Sequence, residues 1–104
     1  MGNEITIAST TFSNKAMAMK CARKMIEKDL AACAQVDGPI ISIYQWEGKV
    51  CEDVEWKVEL KISSAKRRLL QETILQNHEY DLPQWFFYKA SASKEYSRWV
   101  QTGN

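Results

Sequence analysis

The residues best suited to chemistry are few in this chain of 104 residues. His78 is the single histidine, and it could serve as a metal ligand or as an acid–base group. The alternative is a structural role, because a histidine near a helix end can bond to the last carbonyls of that helix. A single imidazole excludes a histidine-rich cluster, so any metal role depends on His78 together with other ligand types.

Sulfur atoms form a second chemical group. Met17, Cys21 and Met25 are spaced four residues apart and could line one face of a helix. Soft sulfur donors suit copper(I), but methionine and cysteine also fill irregular gaps in a hydrophobic core. We favour the core interpretation for these three residues.

The cysteine pattern indicates the redox environment. The chain has three cysteines without Cys-x-x-Cys spacing, which is typical of reduced thiols and favours a cytoplasmic protein. A catalytic thiol needs a base within reach, and the imidazole lies forty-five positions after Cys33. We therefore expect Cys33 to be a buried structural thiol on a strand packed against the first helix.

Charge and composition exclude several classes of function. Fourteen basic and thirteen acidic residues leave a net charge of +1, which argues against a nucleic-acid partner. The basic-Gly-aromatic motif of ferredoxin-like RNA-binding modules is absent, and the Lys66-Arg67-Arg68 cluster is interpreted as a solvated helix face. No apolar run is long enough to span a membrane. Gly2 and Thr6 fit the loose N-myristoylation pattern, which we interpret as a chance match ahead of the first strand.

The strongest structural signal is a period of two in the side chains of residues 40–63. Gly48 gives the backbone freedom for a tight reversal, so the pattern predicts one long antiparallel hairpin. The second arm has an apolar face of Val54, Trp56, Val58, Leu60 and Ile62, and a charged face of Glu55, Lys57, Glu59, Lys61 and Ser63.

Weaker patterns predict the other elements. They are a strand from Ile5 to about Thr11, a helix over 14–31, an extended run over 33–36 with a kink or bulge at 37–39, a helix over 66–77, a strand over 85–88 and a helix over 94–100. The first helix is predicted to be capped by Ser13 and to pack through Ala18, Cys21, Ala22, Met25 and Ile26. The second helix is predicted to pack through Leu69, Leu70, Thr73 and Ile74. This β-α-β-β-α-β order plus a terminal helix predicts a single α+β domain over residues 1–104, a ferredoxin-like sandwich. The long hairpin arms overrun the helices, and such uncovered strand edges favour an oligomer assembled through strands.

Four segments resemble the CutA divalent-cation-tolerance family in order and spacing. They are Ser42–Val50 (SIYQWEGKV), Glu27–Cys33 (EKDLAAC), Glu55 followed by Leu60-Lys61, and His78–Gln84 (HEYDLPQ). The resemblance spans about residues 5–100. It implies a ferredoxin-like subunit of a PII-like homotrimer, in which strand edges of neighbouring chains pair and enclose the charged strand face.

The resemblance also implies a cleft between subunits. In this chain its residues would be Tyr44, Trp46, Glu47, Lys61, His78, Tyr80 and Trp85. Aromatic side chains dominate both interfaces and ligand pockets. These residues could therefore pack the trimer or hold a small ligand.

The function implied by the resemblance is a non-enzymatic scaffold for a small ligand or for signalling, with a role in divalent-metal tolerance. The alternative is a protein that binds copper or another divalent cation in the intersubunit clefts, with His78 as a ligand. A third possible function is that of an enzyme acting through His78 and Tyr80. Copper in bacterial members is associated with Cys, His and Glu residues whose positions fall near Thr10, Asn77 and Gln84 in this chain. Those three residues are poor substitutes for thiolate, imidazole and carboxylate, which argues against a copper site of that type.

Overall fold

The computed structural model describes residues 3–103. Its elements in chain order are β1 (Glu4–Phe12), α1 (Lys15–Glu27), β2 (Cys33–Trp46), β3 (Lys49–Ile62), α2 (Arg67–Gln76), β4 (Phe86–Ser91) and α3 (Lys94–Thr102), with a 3-10 turn at Ser64–Lys66 before α2. The predicted order of strands and helices is confirmed. Gly2, the acceptor in the myristoylation pattern, lies outside the described residues.

The strands form one antiparallel sheet in the order β2-β3-β1-β4. α1 and α2 pack on one face of this sheet. α3 packs at one end of the other face, where Val100 joins Ile5 and Ile7. The ferredoxin-like fold predicted from the sequence is therefore confirmed.

Alternation along β3 separates the core from the charged residues. Val58, Leu60 and Ile62 are fully buried under the helices, together with Met25 of α1 and Leu70 of α2. Burial of each such side chain contributes about 1.5–3 kcal/mol. Because successive side chains of a strand point to opposite faces, the charged residues between them lie on the side of the sheet away from α1.

α1 is shorter than predicted and has a different cap. Asn14, not Ser13, is the N-cap, since its side chain accepts a 2.8 Å hydrogen bond from the amide of Met17. The helix stops at Glu27 because Asp29 adopts a left-handed conformation with φ 58°. Ile26, expected to pack inward, is exposed.

The sulfur residues of α1 agree with the core interpretation. Met25 is fully buried, and Met17 and Cys21 pack against the same core cluster from partly buried positions. The expectation for Cys33 is wrong. Cys33 is only half-buried, and it lies opposite Lys61 in the strand register, so its side chain is on the face away from α1.

α2 packs through fewer residues than predicted. Leu70 and Ile74 are buried, but Leu69 is 57% exposed and does not belong to the core. The basic cluster is also only partly the solvated face we expected. Lys66 forms a 3.1 Å salt bridge with Asp29, and the Arg67 guanidinium lies 4.3 Å from the centre of the Phe87 ring.

The hairpin of β2 and β3 turns where the sequence predicts. Glu47 and Gly48 both have positive φ, 51° and 77°, as a type I′ turn requires. The predicted irregularity is a β-bulge between Asp37 and Ile40. There the Trp56 ring packs on Gly38 so closely that a Cβ at this position would lie 2.5 Å from Trp56 Cδ1.

Part of this hairpin extends beyond the rest of the sheet. β1 pairs with β3 only from Trp56 to Ile62, so residues 40–46 of β2 pair with residues 49–55 of β3 and with nothing else in the sheet. We call residues 40–55 the ribbon. They project from the rest of the chain, whose longest dimension is 45 Å.

β4 begins at Phe86 and continues to Ser91, so the predicted strand over 85–88 is placed too early. Trp85 lies just before it and packs against the core cluster beneath the helices. No helix within residues 3–103 has the length and apolar character needed to cross a membrane.

Candidate functional site

An open cleft of about 850 Å³ lies between the ribbon and the loop over residues 77–85. Its lining includes the carboxylates of Asp53, Glu55, Glu79 and Asp81 and the aromatic rings of Tyr44, Trp46 and Tyr80. Within residues 3–103 no lysine, arginine or histidine lines it. The cleft is therefore acidic and has aromatic walls.

Glu55 is the central group of this cleft. Glu55 is only 9% exposed, and both oxygens of its carboxylate accept hydrogen bonds. Ser42 Oγ donates to one at 2.6 Å, and the Tyr80 hydroxyl donates to the other at 2.9 Å. A buried carboxylate needs such partners, and here they link both strands of the ribbon to the 77–85 loop.

The two tyrosines of the cleft remain neutral donors at physiological pH. Burial, followed by the hydrogen bond to Glu55, raises the pKa of Tyr80 above its ordinary value. The Tyr44 hydroxyl donates to Asp53 across the ribbon. This bond, more than any other cause, raises the pKa of Tyr44 to about 12. Each phenol thus orients a carboxylate at the cleft wall.

His78 supports the cleft from behind Tyr80. Its Nε2 lies 2.9 Å from the Thr11 carbonyl and 3.1 Å from Thr10 Oγ1. A carbonyl can only accept, so Nε2 carries the proton, and Nδ1 is free to accept the Tyr80 amide N–H at 3.1 Å. The ring also stacks on Phe12 with centroids 4.4 Å apart.

This arrangement bears on both interpretations of His78. Burial lowers the pKa of the imidazole, which favours the neutral ring. Both ring nitrogens have protein partners, so a metal ion could bind Nδ1 only by displacing the Tyr80 amide. The structural interpretation named the wrong partner, because His78 bonds to a carbonyl of β1 and not to one at the end of α2.

The predicted cleft residues separate into groups. Tyr44, Trp46 and Tyr80 line the cleft, whereas Glu47 lies in the turn of the hairpin and is not a lining residue. The Lys61 ammonium lies at the far end of β3, where it forms a 2.9 Å salt bridge with Glu59. Lys61 lies twelve positions after Lys49 along β3, a distance on the order of 40 Å.

Four predicted members therefore do not line the cleft of a single chain. They are Glu47, Lys61, His78, which lies behind Tyr80, and Trp85, which packs against the core. The sequence reasoning missed Ser42, Asp53, Glu55, Glu79 and Asp81 as cleft residues. An available signal was the presence of acidic residues both in the ribbon and in the loop after α2.

Three residues that the sequence resemblance places near copper ligands do not fit a copper site. Thr10 contacts His78, the Asn77 amide donates to the Thr73 carbonyl at 3.0 Å, and the Gln84 amide donates to Ser9 Oγ at 3.0 Å. These neutral oxygen and amide groups are weak ligands for copper and are already engaged. No group of three or more His, Cys, Asp and Glu side chains within residues 3–103 is arranged to hold a metal ion.

These features define a class of protein. It is a single ferredoxin-like chain with a projecting β2–β3 ribbon and an acidic, aromatic cleft beside that ribbon. Residues 6–103 match the family described as "CutA1 divalent ion tolerance protein". The chain belongs to this family.

Individual relatives agree with this assignment. The chain is 33% identical over 93 residues to the divalent-cation tolerance protein CutA of Thermotoga maritima, covering 88% of this chain and 91% of that protein. It is 34% identical to the CutA protein of Thermococcus kodakarensis, covering 93% of each chain. Its structure is similar to crystalline CutA1 from Ehrlichia chaffeensis, with a TM-score of 0.88 and 27% identity over 96% of this chain and 94% of that one.

Proposed function

We propose that this chain acts as a non-enzymatic homotrimer that binds a cation or a small ligand in the response to divalent metal ions. The observation that carries the proposal is the position of Glu55, which joins the 77–85 loop to the ribbon through Tyr80 and Ser42. A ligand that competes for Glu55 would release the loop from the ribbon. Binding would then change the shape of the surface presented to other molecules.

The trimer is supported by the surface of the ribbon. Ile41, Ile43, Val50 and Val54 are between 52% and 73% exposed, although Ile41 and Val54 face each other across the two strands. Contiguous apolar surface of this kind marks an interaction site, and the outer edge of β2 has unpaired backbone groups that another chain can use. Ribbons of neighbouring chains that pack together would cover both features.

A second candidate function is direct binding of a hard divalent cation. Asp53, Glu79 and Asp81 form no salt bridge with any residue in the described part of the chain, and carboxylate oxygens suit magnesium, calcium and manganese. One subunit does not bring three such groups together. Carboxylates from an adjacent subunit would have to complete the coordination shell.

The compartment that we propose is the cytoplasm. Cys21, Cys33 and Cys51 are all free thiols, and free thiols persist in reducing compartments. The role that we propose is non-enzymatic. Turnover of a substrate that is lost in Tyr80→Phe would overturn it.

Native mass spectrometry of the untagged protein tests the assembly. We expect a species of about 36 kDa, three times the 12.0 kDa chain. The variant Ile41→Lys, Val54→Lys should shift the population to monomer, while Leu69→Lys, which changes an equally exposed leucine on α2, should leave the trimer intact. A wild-type protein that remains at 12.0 kDa would refute the trimer.

The same spectra, recorded after addition of manganese or copper, distinguish the two functions. Stoichiometric manganese binding that is lost in Asp53→Asn, Asp81→Asn and retained in His78→Ala would favour the hard-cation site. Copper binding that is lost in His78→Ala would favour a site at the imidazole. A trimer that takes up neither metal would favour the small-ligand scaffold.

A further inference from the structure

A groove lies between α1 and α2, separate from the cleft and formed by different residues. It encloses about 270 Å³. Its floor consists of the buried side chains of Phe12, Met25 and Ile74. Met17 and Cys21 line it from partly buried positions on α1. The interior of the groove is therefore apolar, and its methionines can adapt to the shape of a flexible chain.

The rim of the groove carries positive charge. Lys20 and Lys24 line it, and no acidic side chain in the described part of the chain does. The two lysines are four residues apart on α1, which places them side by side on the helix. Neither forms a salt bridge within residues 3–103. Two neighbouring ammonium groups beside an apolar floor are complementary to an anion with a hydrocarbon body.

The other polar groups of the groove do not oppose an anion. The Thr73 hydroxyl donates to the Leu69 carbonyl, and the Asn77 amide donates to the Thr73 carbonyl, so both serve the end of α2. Burial raises the pKa of the Cys21 thiol to about 11, so this side chain stays uncharged at physiological pH. The lysines are thus the charged groups that a ligand would meet.

We propose that this groove binds a medium-chain fatty-acid anion, with its carboxylate between Lys20 and Lys24 and its hydrocarbon chain against Met17 and Cys21. The volume of about 270 Å³ lies just below the range of roughly 300–1,000 Å³ that is usual for small-molecule pockets, which excludes long-chain fatty acids. This inference is independent of the proposed function, since the groove shares no lining residue with the cleft.

The test is an NMR titration of isotope-labelled protein with sodium octanoate. Amide shifts should change in residues 17–25 and 73–77, around the groove, and not in the 77–85 loop beyond Asn77. Octylammonium chloride, which has the same chain and the opposite charge, should produce no saturable change at these positions. Equal responses to the two compounds, or octanoate shifts confined to other regions, would overturn the proposal.

Two charge variants separate recognition from general attraction. Lys20→Gln, Lys24→Gln should weaken octanoate binding about five- to tenfold, the loss expected for two solvent-facing charge pairs. The control variant Lys15→Gln, Lys28→Gln removes the same charge at the two ends of α1, outside the groove. It should bind octanoate as the wild type does. Equal weakening by both variants would refute a site at the groove.

Thiol labelling gives a second readout that does not depend on charge variants. Octanoate should slow the reaction of Cys21 with iodoacetamide by covering the groove, while Cys51 on the ribbon should react at an unchanged rate. Peptide mass spectrometry distinguishes the two sites. An unchanged Cys21 rate at saturating octanoate would contradict the proposed binding position.

Discussion

The Tyr80 hydroxyl lies 2.9 Å from Glu55 Oε2, although the two residues are twenty-five positions apart in the chain. This hydrogen bond closes the cleft at its base, since Tyr80 belongs to the 77–85 loop and Glu55 to the ribbon. On the other side of the loop, the Tyr80 amide donates to His78, whose ring is fixed on β1. The loop is therefore held between β1 and the ribbon.

Removal of the Tyr80 hydroxyl should loosen this connection. In Tyr80→Phe the Glu55 carboxylate loses one of two donors while remaining buried. We expect the free energy of unfolding to fall by about 1–2 kcal/mol, measured by urea denaturation. Tyr88→Phe is the matched control, because Tyr88 is half exposed and should change stability by less than about 0.5 kcal/mol. Equal losses in the two variants would exclude a special role for the Glu55 bond.

Protonation of His78 should destabilise the fold. The pKa of the folded-state imidazole is lowered by burial, so the unfolded chain binds the proton more tightly. The stability that the neutral ring contributes is fully present above the imidazole pKa of the unfolded chain, about 6.5. It is lost as pH falls through the lower imidazole pKa of the folded chain. A physical reason is that protonated Nδ1 can no longer accept the Tyr80 amide.

Urea denaturation between pH 7.5 and pH 5 measures this effect. The stability difference between the wild type and His78→Gln should be largest at the upper end and should shrink toward pH 5. His78 is the only histidine, so any pH dependence left in the variant arises from other groups. A difference that stays constant over this range would contradict a lowered imidazole pKa in the folded protein.

Gly38→Ala should destabilise the protein through a steric conflict. The new Cβ would lie 2.5 Å from Trp56 Cδ1 and 2.7 Å from Cγ, so the indole or the bulge must move. Overpacking of this kind costs about 1–3 kcal/mol, which thermal or urea unfolding would detect. In a double-mutant cycle with Trp56→Ala, the alanine at position 38 should become nearly neutral. Additive effects would show that the ring is not the cause.

Lys61→Glu should disrupt the charged face of the sheet. The Lys61 side chain is only 12% exposed and pairs with Glu59 and Gln35, so the substitution places two carboxylates together in a largely buried position. We expect the free energy of unfolding to fall by about 2–4 kcal/mol. If the proposed trimer encloses this face, light scattering should also show a weaker assembly. Lys89→Glu changes an exposed charge on β4 and serves as the control for net charge. An unaltered trimer in Lys61→Glu would count against enclosure of this face.

The sequence predicted the fold well where local periodicity determines it. Alternation located β3 and, from Val58 to Ile62, the face that packs under the helices. Val54 was expected on the same buried face but is 52% exposed, because it lies on the ribbon beyond the helices. The ends of α1 were less predictable, because both Ser13 and Asn14 are suitable caps and the left-handed Asp29 leaves no periodic signal. Helix ends depend on single backbone conformations, whereas strands depend on repeated ones.

The cleft was only partly predictable for a different reason. Tyr44, Trp46 and Tyr80 were expected there, but Glu55 was assigned only to a charged strand face. Its partners come from β2 and from the loop after α2, and contacts between distant segments are not encoded in the spacing of either one. Lys61 was grouped with Glu47 by resemblance alone. Within one chain, Glu47 lies in the turn before β3 and Lys61 lies near the end of β3.

The isolation of the ribbon has a thermodynamic consequence. Two strands that pair only with each other are marginally stable in water, and one wall of the cleft is built from these strands. Any molecule that packs on the ribbon therefore stabilises the cleft by mass action. In the proposed trimer the packing molecule is a second copy of the chain, so the concentration of the protein itself would be an effector of ligand affinity. Dilution alone would then weaken binding at a cleft whose residues are all unchanged.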